Sequence, residues 1–147
     1  IQNHDEKILD QENLKAKVDL NWAVFYFHQK EFSKALDLIP SPDSLENIYY
    51  KLQIRRLEIM VYYEQKSVLL DSKMEAFKIY IFRLAKTELP DAYKLLNNHF
   101  IDLLRQILQP KTLRNLSRIN KISNKIKNTS SVTEREWLLG KLHELQS

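Results

Sequence analysis

Only one of the 147 residues in this chain is a glycine, and only 4 are prolines. An all-β fold turns sharply many times, and glycine enters the left-handed turn conformations at least cost. Phosphate-cradling loops and dinucleotide-binding turns need several glycines close together. One glycine excludes both motifs and leaves an all-β fold without its turns. Cysteine is absent, which removes disulfides, thiolate zinc sites, iron–sulfur clusters and cysteine nucleophiles. Lack of cysteine also fits an intracellular, cytoplasmic protein. With 44% hydrophobic and 29% charged residues the chain can close a core, and its length suits one domain. The most apolar run, Trp22 to Phe27, falls far short of the roughly 20 residues that a membrane-spanning helix needs. The chain starts at Ile1 rather than Met, so we expect a piece of a longer protein.

The apolar periodicity is helical almost throughout. From Gln11 to Gln29, Leu14, Val18, Trp22 and Phe25 recur at steps of four, four and three. That spacing marks one helix face, and Ala23, Tyr26 and Phe27 widen it, so this helix is expected to be buried on more than one side. A short helix from Glu31 to Ile39 carries Phe32, Ala35 and Leu36 and stops at Pro40. Asp43 and Glu46 have capping-box spacing for a third helix reaching Glu64. Ser67 suits the N-cap of a fourth, from Val68 to Lys86, with Leu69, Ser72, Ala76, Ile79 and Arg83 along one side. Pro90 fits the first turn of a fifth helix, striped by Leu95, Leu96, His99, Phe100, Leu103, Leu104 and Ile107. Pro110 restarts the chain for a sixth, Lys111 to Lys127, with Leu113, Leu116, Ile119, Ile122 and Ile126 on one face. After a polar linker, Thr133 and Glu136 form a second capping box for a helix carrying Trp137, Leu138, Leu142 and Leu145. The expectation is seven helices and no strand.

The first two helices resemble a tetratricopeptide repeat. The residues that carry the likeness are Trp22-Ala23-x-x-Tyr26 and Phe32-x-x-Ala35-Leu36, with small residues where two helices cross and large apolar ones around them. Met60, Tyr63, Ser72 and Ala76 echo the pattern at a period near 34 to 40 residues, as helix-pair repeats do. Met60 departs from it, since the crossing position calls for a small residue. The closing Trp137-Leu138-Leu139 is similar to the C-terminal part of large uncharacterised bacterial proteins of this repeat type. The resemblance implies an all-α fold of antiparallel helix pairs stacked as a short right-handed solenoid over residues 1–147. Residues 11–86 would form two pairs, 90–127 a third and 133–147 a capping helix. It implies a non-catalytic scaffold whose groove presents Lys17, Leu20, Val24 and Phe27 to a protein or peptide. Leu20 and Val24 stand where carboxylate-gripping members carry polar residues, so no carboxylate clamp is expected. A repeat array that begins mid-stack would expose an apolar end and self-associate through its first helix.

Little in the chain suggests catalysis. His4, His28, His99 and His143 fall in no metal-binding spacing. No cofactor or metal is expected. His99 and Asp102 can share a helix face, but two ligands do not make a site. No Gly-x-Ser-x-Gly elbow is present. Charge is the sharpest remaining feature. Between Leu103 and Thr133 there is no acid, while Arg105, Lys111, Arg114, Arg118, Lys121, Lys125 and Lys127 give +7 against +4 for the whole chain. On a continuous helix Lys111, Arg114, Arg118, Lys121 and Lys125 align as a stripe. Such a stripe can meet phosphate backbone, so nucleic-acid binding is the alternative function.

Overall fold

A computed structural model describes residues 4–147, the side chain of Leu9 apart. The described residues are helical and contain no strand. The helices are α1 (His4–His28), α2 (Phe32–Leu38), α3 (Ile48–Glu64), α4 (Leu70–Arg83), α5 (Asp91–Leu108), α6 (Leu116–Asn128) and α7 (Arg135–Glu144). Two single 3-10 turns, Pro42–Ser44 and Pro110–Thr112, join them. The chain divides into two compact units, Ile1–Phe77 and Lys78–Ser147.

The first unit is built on the α1–α2 hairpin. Ala23 and Ala35 are completely buried, which lets the two backbones approach closely. The turn between the helices is made without glycine. Lys30 takes the left-handed conformation at φ 61°. Its N–H reaches the Phe27 carbonyl at 3.0 Å, and the Glu31 N–H reaches the Tyr26 carbonyl at 2.9 Å. This is the Schellman ending of a helix. The end of α3 repeats it. Lys66 sits at φ 53°, with Lys66 N–H to Tyr63 O at 3.1 Å and Ser67 N–H to Tyr62 O at 3.0 Å.

Helix α1 buries Ala16, Leu20, Ala23 and Phe27, at helical steps of four, three and four. The face marked by Leu14, Val18, Trp22 and Phe25 lies on the opposite side and meets water, which corrects the expectation that it is core. The same reversal holds in α4. Its core residues are Met74, Phe77 and Ile81, while Leu69, Ser72, Ala76, Ile79 and Arg83 are exposed. Ser72 and Ala76 are therefore not small residues at a helix crossing. Helix α3 buries Leu52, Ile54, Leu57, Ile59, Met60 and Val61. These cover more than half of its circumference and leave one polar side, with Lys51, Arg55, Glu58 and Tyr62.

The Asp43–Glu46 capping box does not form. Leu45 is buried in extended conformation, so the chain cannot run helically from Asp43. Helix α3 starts instead at Asn47, whose Oδ1 accepts the Tyr49 N–H at 2.8 Å. Helix α4 begins at Leu70, later than expected; Ser67 stands one turn before it and accepts the Leu69 N–H on its hydroxyl at 3.1 Å.

In the second unit Pro90 precedes α5 and accepts the Tyr93 and Lys94 N–H groups on its carbonyl. Helix α5 buries Phe100, Ile101, Leu103, Leu104 and Ile107. Leu95, expected with them, is exposed. The sixth helix is shorter than its pattern. The 3-10 turn after Pro110 holds Thr112, completely buried, whose hydroxyl donates to the Gln106 carbonyl at 2.7 Å. Arg114 then turns left-handed at φ 58°, and Asn115 caps α6 by accepting the Arg118 N–H at 3.1 Å. Leu113 and Leu116 are exposed, leaving Ile119, Ile122 and Ile126 as the buried face. The second capping box also fails. Glu134 occupies the N-cap position at φ 59° without a side-chain cap. The neighbouring Arg135 reaches back to the end of α6. It donates to the carbonyls of Ile126 at 2.5 Å, Lys127 at 3.1 Å and Thr129 at 2.7 Å. Those are carbonyls that a helix C-terminus leaves without intrahelical partners. Trp137 of α7 packs against Phe100, centroids 6.3 Å apart.

Candidate interaction surface

Four of the large apolar side chains that the first unit leaves in water form one stripe on α1. Leu14 is 65% exposed, Val18 45%, Trp22 51% and Phe25 48%. Burial of these groups is worth about 25 cal/mol per Å² of apolar surface, so leaving four in a row uncovered carries a real cost. The rings are ordered among themselves. Trp22 stands edge-on to Phe25 at 5.6 Å and tilted to Tyr26 at 6.0 Å; Phe25 and Tyr26 are edge-to-face at 5.4 Å. Lys34 lies over the Tyr26 ring at 5.5 Å, and Lys15 pairs with Asp19 at 3.0 Å along the helix. The result is a preformed aromatic surface with a polar border, the composition that carries most energy at interfaces.

The four residues expected to line a partner groove do not stay together. Leu20 is 1% exposed and Phe27 7%; both belong to the core, because the hairpin turns that side of α1 toward α2. Lys17 is exposed and Val24 half-buried. Lys17 stands over the Tyr50 ring at 5.5 Å and lines a recess of about 370 Å³ with Asn13, Leu45, Glu46 and Asn47.

The basic stripe is broken in its first half. Lys111 lies in the 3-10 turn and Arg114 in the left-handed turn, so the helical projection does not reach them. Arg114 donates its N–H to the Leu145 carbonyl at 2.9 Å and its Nε to the Ser147 carbonyl at 3.2 Å. Arg118 donates Nε to the Thr112 hydroxyl at 2.7 Å and Nη2 to Gln109 Oε1. Lys121 and Lys125 remain exposed on α6.

His99 is half-buried. Its Nδ1 lies 2.7 Å from the Ser131 carbonyl, a bond that ties the α6–α7 loop to α5. It shares a small recess of about 170 Å³ with Asp102, Gln106, Lys125 and Thr129. Among the described residues no three His, Cys, Asp or Glu side chains are placed to hold a metal ion, and no helix is long and apolar enough to cross a membrane.

No protein-family model, curated protein or solved structure matches this chain.

Sequence reasoning found the four stripe residues but placed them inside. What could have separated the faces is residue size. The buried side holds two alanines, which allow a second helix to come close. The outer side holds the bulk.

Proposed function

We propose that this chain is a non-catalytic protein-interaction module that docks an amphipathic helix of a partner on the outer face of α1. The exposed, mutually ordered row Leu14, Val18, Trp22 and Phe25 carries this reading. Interfaces concentrate their energy in aromatic anchors of this kind, and helix-in-groove docking uses anchors at steps of three and four. The α1–α2 hairpin is read as tetratricopeptide-like on three observations: the buried Ala23 and Ala35, the Schellman ending at Lys30, and its recurrence at Lys66. Stacking as a right-handed solenoid is part of the same proposal. The binding surface is moved from the groove side to the outer side of the first helix.

The test is a displayed library of amphipathic helical peptides selected against the chain. Selected peptides should lose at least tenfold in affinity on Trp22→Ala or Phe25→Ala, about 1.4 kcal/mol, and be indifferent to Lys121→Glu/Lys125→Glu. Peptides insensitive to Trp22 and Phe25 would overturn the reading. A single-stranded oligonucleotide serves as the second probe. Binding that falls steeply with salt and vanishes in the lysine variant would move the function to α6.

A further inference from the structure

We infer that the helix seated on the outer face of α1 is α1 of a second copy of this chain, packed antiparallel about a two-fold axis between Val18 and Trp22. This rests on the reading of that face as a helix-docking surface and names its occupant.

Two observations favour a second copy. The first is area. Leu14, Val18, Trp22 and Phe25 leave on the order of 400 Å² in water, roughly half of the ~800 Å² per partner of a standard interface. A stripe of that size makes the centre of a symmetric contact, and the flanking polar residues complete it. The second is charge. The flank on one side of the stripe carries Lys15 and Asp19, and the other carries Asp10 and Lys17. A two-fold axis brings each flank against its own copy. On the first flank Asp19 falls beside its own counterpart near the axis, but each Asp19 is already paired with Lys15 of its own helix at 3.0 Å, so no uncompensated charges are brought face to face. A strongly basic or acidic partner would find no complement here. The unit that bears α1 has 10 Lys and Arg against 13 Asp and Glu, a net charge of only −3, so repulsion between copies is weak.

The geometry makes a specific demand. Leu14 and Phe25 are eleven residues apart, about 16 Å along the helix. In the antiparallel pair Leu14 of one copy lies beside Phe25 of the other, while Leu14 and its own counterpart stay ~16 Å apart. A disulfide closes only when Cα atoms lie within about 7 Å. The chain has no native cysteine, so introduced ones report cleanly.

Sedimentation equilibrium of the full chain over the micromolar range should show a monomer–dimer transition. Trp22→Asp should abolish it while leaving helicity and the Tm of the dilute monomer unchanged, since the side chain is half in water, and should remove the concentration dependence of Tm that a dimer confers. Leu14→Cys and Phe25→Cys should each give little disulfide-linked dimer alone and give it readily when mixed. Ready self-linking of Leu14→Cys would mean a parallel pair and overturn the geometry. A monomer at every concentration would overturn the inference. If library peptides still bind through Trp22 in that case, the docking face stands and its occupant is a different protein; if they do not, both fall.

Discussion

Among the described residues, four other than glycine hold left-handed backbone: Lys30, Lys66, Arg114 and Glu134. A side chain there costs roughly 1 kcal/mol relative to glycine. Lys30 and Lys66 close helices, and neither N–H depends on the lysine side chain. Lys30→Gly and Lys66→Gly should therefore each raise stability by about 0.5–1 kcal/mol, read as a higher urea midpoint with an unchanged slope. The single glycine is the converse case. Gly140 lies inside α7, and a Cβ added there would meet nothing within 4 Å. Nothing in the structure requires glycine at that position. Gly140→Ala should stabilise the chain by about 0.5–1 kcal/mol through helix propensity and reduced freedom of the unfolded chain.

Among the elements, α6 is the one most dependent on a residue outside itself. Arg135 covers three carbonyls near its C-terminal end, so Arg135→Ala leaves them to find water. Loss of about 1–3 kcal/mol is expected, with faster amide exchange confined to the end of α6 and the following loop. Between α3 and α4 the Lys73–Glu58 ion pair at 3.0 Å works differently. The hydrogen bond and charge of Glu58 hold the Lys73 pKa above its ordinary value. A raised lysine pKa means that the folded state binds the proton more tightly. From neutral pH up to about pH 10.4 the pair's contribution is therefore complete, and it is lost as pH rises through the raised value. Both side chains are partly in water, so Glu58→Gln should remove this alkaline dependence while costing no more than about 1 kcal/mol at neutral pH.

At the scale of the molecule the two units differ in charge. The first carries −3. The second carries 13 Lys and Arg against 6 Asp and Glu, or +7. Binding to a cation exchanger should therefore be governed by the second unit, and Lys121→Glu/Lys125→Glu should elute at clearly lower salt. The two apolar cores have different anchors. Phe77 in the first and Phe100 in the second are completely buried, and truncation of either to alanine should cost about 3–5 kcal/mol.

Much of this was legible in the residues. Helical class followed from the missing glycine and the periodicity, because backbone freedom and apolar spacing are local properties. Ile119, Ile122 and Ile126 were placed correctly because α6 has a single apolar face. The face of α1 was not legible. A helix that is apolar on two opposite sides satisfies the same periodicity either way round, and only its partner decides which side is buried. Here α2 comes close enough to demand Ala23 and leaves Trp22 and Phe25 outside. The capping boxes failed for a related reason: a cap depends on where the preceding chain is held, and buried Leu45 and the reach of Arg135 decide that. The sequence determined which segments are helices; tertiary packing alone determined which of two equivalent faces meets water, and with it where a partner can bind.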